Sequence, residues 1–133
     1  MIIIDTSVWI PLLNGTEHHK VEQARSVIEG PEEVGIPGII LEEILRGIRI
    51  DSQFRAVRDM LLNDFTYLDL PRSAFIQSAE IYRSLRKSGK TVRSAADCLI
   101  AACAIDQSAM LLENDADFET IARIAPLSLM TVS

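Results

Sequence analysis

Five acidic residues stand beside short apolar segments of the chain. They are Asp5, Glu43, Asp97, Asp115 and Asp117. A carboxylate next to buried surface is costly unless a cation or hydrogen-bond donors compensate its charge. Divalent ions such as Mg²⁺ and Mn²⁺ prefer hard oxygen ligands, and their charge lets several carboxylates share one pocket. The acids therefore predict a metal site, provided that the fold brings them together.

The pattern of apolar residues predicts an α/β fold. Short β-branched or apolar runs predict strands at 2–4, 34–36, 65–70, 110–112 and, at the sheet edge, 127–130. Helices are predicted at 7–13, 17–29, 37–47, from Ser52, from Pro71 to just before Gly89, from Ser94, and at 115–123. Elements that alternate in this way form an α/β/α sandwich, here with a central parallel sheet of four to five strands. Ligands bind at the carboxyl ends of such strands, where Asp5 and Asp115 stand.

Three of the acids also have purely structural interpretations. Asp97 follows Ser94 by three residues, so the two could form a variant of a capping box. Asp115 could be a helix N-cap, and Asp117 could favour the positive end of the same helix. These interpretations explain the residues one at a time. They do not explain why several acidic helix starts and strand ends would gather at one edge of a sheet, which favours the metal site.

The adjacent Glu42 and Glu43 cannot both face one cleft. Neighbouring residues on a helix point about 100° apart. Glu42 has Arg46 four residues later as a surface partner, whereas Glu43 lies on the apolar face. We therefore expect Glu43 at the site and Glu42 in a surface ion pair.

Packing faces can also be predicted for some of the helices. In the helix from Pro71, the inward-facing residues are expected to be Phe75, Ala79, Tyr82 and Leu85, and in the helix from Ser52 they are Phe54, Val57, Leu61 and Leu62. Trp9 is expected to be a packing residue.

Length and charge limit the class of protein. A chain of 133 residues is long enough for one domain with its own core, so 1–133 is expected to be a single domain. Neither a membrane span nor a signal peptide is apparent, which favours a cytoplasmic protein without membrane association. The net charge of −6 argues against a broadly basic nucleic-acid-binding surface, but it is compatible with a nuclease whose acids hold cations.

One basic cluster precedes Asp97. It consists of Arg83, Arg86, Lys87, Lys90 and Arg93. Such a cluster is either a solvated helix end or a phosphate-binding surface, and Lys90 and Arg93 are the candidates to bind RNA phosphates beside the acids. By contrast, Cys98 and Cys103 point to different faces of one helix and are expected to be buried free thiols. His18 and His19 diverge on their helix and make a weak candidate pair.

Four segments together resemble the PIN-domain ribonucleases of the VapC toxin type, nearly from end to end of the chain. They are Ile3-Ile4-Asp5-Thr6-Ser7-Val8-Trp9-Ile10, Glu43-Ile44-Leu45-Arg46-Gly47, Asp97-Cys98-Leu99-Ile100-Ala101-Ala102 and Leu111-Leu112-Glu113-Asn114-Asp115-Ala116-Asp117-Phe118. The resemblance implies a metal-dependent endoribonuclease with a PIN-like fold. Its metal-binding and catalytic acids would be Asp5, Glu43, Asp97 and Asp115, with Asp117 as a further ligand.

The resemblance also implies supporting residues and partners. A hydroxyl of Thr6 or Ser7, with Asn114 nearby, would help to hold water or phosphate. Asp5, Glu43 and Asp97 would form the main Mg²⁺ or Mn²⁺ site, and Asp115 and Asp117 would complete it or hold a second ion. The substrate would be RNA. The expected partners are a VapB-type antitoxin and a second copy of the chain, in a homodimer that joins a larger hetero-oligomer with the antitoxin.

One residue departs from the pattern of the relatives, and other functions fit the chain less well. Glu113 replaces a basic or polar residue, which bears on how substrate is gripped. A haloacid-dehalogenase-like phosphatase needs a second aspartate at position 7, where Ser7 stands, and a receiver domain needs a lysine after Lys90, where none occurs. The alternative from another class is a non-catalytic, metal-binding interaction module of PIN-like fold.

Overall fold

Five parallel strands form the centre of the protein. A computed structural model describes residues 1–131 of the 133 residues. The strands are β1 Ile2–Ile4, β2 Val34–Pro37, β3 Thr66–Leu68, β4 Met110–Leu112 and β5 Ser128–Leu129. They pair in the order β3-β2-β1-β4-β5, and each neighbouring pair is parallel. The predicted parallel sheet of four to five strands is confirmed.

Helices connect the strands, as the alternating pattern predicts. They are α1 Thr6–Leu13, α2 His19–Glu29, α3 Gly38–Arg46, α4 Asp51–Asp64, α5 Arg72–Lys87, α6 Ala95–Asp106 and α7 Ala116–Ala122. None of the helices described within residues 1–131 has the length and apolar character required to cross a bilayer.

The order of the strands creates a crevice beside β1. The chain runs from β1 outward through β2 to β3, and then returns to the other side of β1 with β4 and β5. A reversal of this kind opens a ligand-binding crevice at the carboxyl ends of the two strands that flank it. Ile4 is paired with Leu112, and the backbone N–H of Asp5 donates to the Leu112 carbonyl at 2.9 Å. The residues that follow β1 and β4 therefore lie together at this crevice.

Helix α6, which carries Asp97, lies in the core of the protein. Helix α6 is buried along most of its length, which fits its apolar side chains on every face. Its thiols, Cys98 and Cys103, are buried and free, as expected.

Trp9 of α1 is buried and packs edge to face on Phe65 with ring centroids 5.3 Å apart, which confirms its packing role.

The predicted buried face of α5 is wrong. Phe75, Ala79 and Tyr82 are exposed, and the helix packs on α6 through Ala74, Ile81 and Leu85. The prediction assigned the large aromatic side chains to the core. In the structure the small Ala74 faces inward, so the buried stripe is rotated and only Leu85 was placed correctly.

The predicted face of α4 needs a smaller correction. Leu61 is buried, and Phe54 and Val57 are half-buried. Leu62, in contrast, is 46% exposed. The reason is again helical geometry, since adjacent positions such as 61 and 62 point about 100° apart and only one of them can face the core.

Candidate metal centre

Asp5 is held at the end of β1 by the start of α1. It is the N-cap of α1 and accepts hydrogen bonds from the backbone N–H of Ser7 at 3.0 Å and from Ser7 Oγ at 2.6 Å. Burial raises the pKa of Asp5 above its usual value, the bonds from Ser7 lower it, and the charge of Asp115 raises it. Asp5 is thus a buried carboxyl group whose charge is only partly compensated by its own helix.

Ser7 also joins Asp5 to the loop between β4 and α7. Its Oγ accepts a hydrogen bond from the backbone N–H of Asn114 at 2.9 Å while donating to Asp5 Oδ2. A hydroxyl has one proton, so these two bonds fix its orientation. Asn114 therefore approaches the site through its main chain, and Ser7 is the side chain that aligns β1 with the β4–α7 loop.

The β4–α7 loop places two further carboxylates. Asp115 is the N-cap of α7, and its Oδ1 accepts from the backbone N–H of Asp117 at 2.9 Å. The capping interpretation of Asp115 is therefore correct. It does not exclude a metal-binding role, because a carboxylate has two oxygens and about four acceptor positions.

Glu113 is buried beneath this loop, a role that the sequence did not indicate. Its Oε2 accepts the backbone N–H of Asp115 at 2.7 Å, and Lys20 Nζ lies 3.9 Å from its Oε1. Burial raises the pKa of Glu113, whereas the bond from Asp115 and the charge of Lys20 lower it. Glu113 thus orients the main chain at Asp115 in this structure. Lys20 lies far away in the sequence, so no local signal could have identified the pair.

Asp97 is the least compensated acid of the site. Ser94 caps α6 through the backbone N–H of Ala96 at 3.1 Å, and Asp97 Oδ2 is buried with no hydrogen-bond partner within residues 1–131. Burial first, and then the neighbouring carboxylates, raise the pKa of Asp97 to about 8. Ser94 caps the helix, but within residues 1–131 no hydrogen bond joins the Ser94 N–H to the Asp97 side chain, so the capping box is not formed. A cation would satisfy the buried Asp97 oxygen.

Three carboxylates form the tightest acidic group among the described residues. One oxygen from each of Asp97, Asp115 and Asp117 can be chosen so that all three lie within 4.8 Å of one another. This spacing suits ligands that share one divalent ion. It differs from the expected main site of Asp5, Glu43 and Asp97, because Asp5 and Glu43 stand outside the group.

Glu43 lies beside Asp5 and is oriented by Thr6. Thr6 Oγ1 donates to Glu43 Oε1 at 2.9 Å. Burial raises the pKa of Glu43, the bond from Thr6 lowers it, and Asp5 raises it again. Glu42 instead pairs with Arg46 at 3.0 Å on the exposed face of α3, as expected.

Arg93 is the cationic side chain that meets the acidic group. Its Nη2 lies 3.7 Å from Asp115 Oδ1 and its Nε lies 3.9 Å from Asp117 Oδ2, while its backbone N–H donates to Asp117 Oδ2 at 3.0 Å. Lys90 lies at the end of α5, where Gly89 has a positive φ of 71° and Lys90 N–H donates to the Leu85 carbonyl. This helix ending has the hydrogen bonds of a Schellman motif and directs the chain towards Arg93.

The histidine pair has a structural role. His18 is the N-cap of α2, and its Nδ1 accepts from the backbone N–H of Lys20 at 3.1 Å. The expected divergence of the two side chains is wrong, because His19 stacks on His18 with ring centroids 4.3 Å apart. His18 precedes the helix in extended conformation, so helical geometry does not separate the pair. This cap also fixes the start of the helix that carries Lys20.

The chain is similar to known proteins in sequence and in structure. Residues 2–124 match the PIN domain family. A VapC ribonuclease of Mycobacterium bovis and ribonuclease VapC11 of Mycobacterium tuberculosis are each 39% identical to this chain over 129 residues, which is 96% of either length.

Solved structures share the fold at lower identity. VapBC2 from Rickettsia felis, bound to a DNA fragment from its promoter, has a TM-score of 0.78 with 21% identity and full coverage of both chains. VapBC-1 from nontypeable Haemophilus influenzae has a TM-score of 0.77 with 17% identity, covering 98% of this chain and 97% of the other. The resemblance seen in the sequence is thus confirmed, and the chain belongs to the PIN-domain family of VapC-type ribonucleases.

Proposed function

We propose that the protein is an endoribonuclease that requires Mg²⁺ or Mn²⁺ and acts as the toxin of a VapBC-type pair. The observation that carries this proposal is the group of Asp97, Asp115 and Asp117, whose carboxylate oxygens lie within 4.8 Å at the sheet crevice. Relatives 39% identical over 96% of the chain are named ribonucleases, which supports RNA as the substrate. We take residues 1–133 as one catalytic domain that works in the cytoplasm.

The residues present fit a divalent ion. All the side chains of the acidic group offer hard oxygen ligands, which Mg²⁺ and Mn²⁺ prefer over softer donors. Asp97 Oδ2 is buried and lacks a hydrogen-bond partner within the described part of the chain, so an ion would satisfy it. Asp97, Asp115 and Asp117 would hold this ion, with Asp5 and Glu43 as the adjoining acids of the catalytic set.

The chemistry divides between the ion and the protein. When bound, a divalent ion lowers the pKa of a water molecule and neutralises charge that develops on the phosphate. Ser7 and Thr6 orient Asp5 and Glu43. Burial raises the pKa of both acids, and a cation beside them would offset the cost of burying their negative charge. Hydrolysis by water does not use the RNA 2′-hydroxyl. The products are therefore expected to carry 5′-phosphate and 3′-hydroxyl ends.

The first prediction tests metal dependence directly. The purified protein should cleave single-stranded RNA with Mn²⁺ or Mg²⁺ and should stop in excess EDTA. Asp5→Asn should lower cleavage at least ~100-fold, because it removes a buried acid from the site. The matched control is Asp69→Asn, an exposed carboxylate before α5, which should retain activity. Equal cleavage in EDTA would refute the metal mechanism, and inactivity with every RNA and ion would favour a non-catalytic interaction module.

The second prediction concerns the hydroxyl of Ser7. Ser7→Ala removes both the 2.6 Å bond to Asp5 and the acceptor for the Asn114 N–H. Loss of a group that orients a metal-site carboxylate commonly costs about 10- to 100-fold in activity or metal affinity. Cleavage rates and Mn²⁺ titrations would measure the change. Ser52→Ala, at an exposed position of α4, is the control. Full activity in Ser7→Ala would show that Asp5 is positioned without the hydroxyl.

The acidic crevice also suits a protein partner. A cleft of carboxylates attracts arginine, which forms bidentate hydrogen bonds with them. Several fold relatives were solved as VapBC complexes, which supports a VapB-type antitoxin as a partner of this chain. We also propose that the chain forms a homodimer and joins a larger hetero-oligomer with the antitoxin.

The third prediction follows from that partnership. Expression of the chain alone should slow bacterial growth, and Asp5→Asn should remove the effect. Co-expression of a VapB-type antitoxin encoded beside this gene should restore growth and yield a complex that co-purifies. Harmless expression of a nuclease shown to be active in vitro would contradict the toxin assignment.

Substrate contacts are assigned to the loop between α5 and α6. We propose that Lys90 and Arg93 bind RNA phosphates beside the acids, because this loop leads directly into the helix that bears Asp97. In a chain of net charge −6, a local cationic surface is needed to offset repulsion of the RNA backbone.

A further inference from the structure

Arg93 contacts the same carboxylates that form the acidic group. Its guanidinium lies 3.7 Å from Asp115 Oδ1 and 3.9 Å from Asp117 Oδ2. Both acids are therefore partly neutralised by a side chain of the protein itself. A divalent ion in the same place would compete with this side chain, because two cations cannot share the same oxygens without strong repulsion.

Arg93 neutralises only part of the negative charge of the acidic group. The guanidinium reaches two acids of the group, while Asp97 Oδ2 stays buried without a hydrogen-bond partner in residues 1–131. The Arg93 side chain is 84% exposed, whereas those of Asp115 and Asp117 are 24% and 15% exposed. Arg93 thus approaches from the solvent side. Asp97 lies further inside and remains available to a smaller cation.

Displacing the guanidinium from Asp115 and Asp117 should cost little free energy. Ion pairs with a solvent-exposed partner contribute modestly to stability, and both contacts here exceed 3.5 Å. The main chain of Arg93 stays in place, because its N–H donates to Asp117 Oδ2 at 3.0 Å. A displaced guanidinium therefore remains at the mouth of the crevice, where it could form bidentate hydrogen bonds with a phosphate.

We propose that Arg93 is an internal counter-cation that a divalent ion displaces from Asp115 and Asp117, and that the displaced guanidinium then binds an RNA phosphate. This inference rests on the proposed metal-dependent function and adds a coupling to it. Ion binding prepares the protein for RNA, and RNA binding favours retention of the ion, because coupling between two ligands is reciprocal.

The first test is Mn²⁺ affinity without RNA, measured by calorimetry on the full chain. Arg93→Gln removes the competing cation and should bind Mn²⁺ roughly two- to fivefold more tightly than wild type. The control Arg58→Gln makes the same charge change on α4, where Arg58 pairs with Asp59, and should leave Mn²⁺ affinity unchanged. Unchanged or weaker Mn²⁺ binding by Arg93→Gln would overturn the proposal, since a residue that merely supports the site would weaken binding when lost.

The second test measures affinity for a single-stranded RNA analogue that cannot be hydrolysed, in a chain that keeps all the acids of the site. Arg93→Gln should weaken binding of this analogue more in Mn²⁺ than in EDTA, because only the ion frees the guanidinium. An equal loss in both conditions would show that no coupling passes through Arg93.

Different results would refute the metal-dependent function and the counter-cation role of Arg93. Wild-type protein that binds no Mn²⁺ and cleaves RNA in EDTA would refute the metal-dependent function itself. Wild-type protein that binds Mn²⁺ and cleaves RNA, combined with no gain in Mn²⁺ affinity for Arg93→Gln, would refute the counter-cation alone.

Discussion

Asp97→Asn is expected to abolish RNA cleavage and, at the same time, to stabilise the metal-free protein. Asp97 is buried, and its Oδ2 has no hydrogen-bond partner within residues 1–131. An amide of the same shape carries no charge and can donate a hydrogen bond to the neighbouring Asp115. The variant loses a proposed metal ligand but also loses the cost of burying an uncompensated acid, which is about 1 to 3 kcal/mol.

The stabilisation should depend on pH in a defined direction. Burial and nearby carboxylates raise the pKa of Asp97 to about 8, compared with 3.8 for an ordinary aspartate. Between these values the folded protein retains a proton that the unfolded chain has lost, so wild-type stability falls as pH rises. The advantage of Asp97→Asn should therefore be small near pH 4 and should grow towards pH 8. Asp5, Glu43 and Glu113 also have raised pKa values, which act in the same direction.

Unfolding in urea, with EDTA present, measures this effect at pH 5 and pH 8. The exposed Asp69→Asn serves as the control and should show no comparable dependence on pH. Added Mn²⁺ should reverse the order, because an ion that binds only the folded state stabilises the wild type and not the variant. A less stable Asp97→Asn at pH 8 in EDTA would show that the charge of Asp97 is compensated in solution.

The sequence predicted the parts of the site that follow from local rules. Asp5 ends a β-branched run and Asp115 follows another, and parallel strands bring their carboxyl ends to one edge of the sheet. The choice of Glu43 as the inward-facing acid also needed only the geometry of a helix, and Glu42 does pair with Arg46. These inferences succeed because each depends on residues close together in the chain.

The remaining features depend on contacts between distant segments. The pair of Lys20 and Glu113 joins the start of α2 to the end of β4, and no periodicity in the sequence marks it. The α5 face was mispredicted because packing on α6 selects small Ala74 over large Phe75. The close grouping of Asp97 with Asp115 and Asp117 likewise depends on how α6 and α7 approach each other.

Glu43→Gln is expected to remove most activity, and Glu42→Gln provides an unusually close control. The two residues are adjacent on α3, and each substitution removes one negative charge without changing side-chain size. Glu43 is half-buried, is oriented by the Thr6 hydroxyl at 2.9 Å and lies close enough to Asp5 for the charge of Asp5 to raise the pKa of Glu43. Glu42 is exposed and pairs with Arg46.

The two variants should therefore differ in function more than in stability. Glu43→Gln should lower cleavage ~10- to 100-fold and weaken Mn²⁺ binding, because it removes an acid of the proposed catalytic set. Glu42→Gln should lose about 0.3 to 0.5 kcal/mol from the surface pair and keep nearly full activity. Cleavage rates, Mn²⁺ titrations and urea unfolding on both variants would decide the matter. The reverse ranking would mean that α3 presents its other face to the crevice in the active protein. Equal activity would remove Glu43 from the proposed catalytic set and leave Asp5, Asp97, Asp115 and Asp117 as its members.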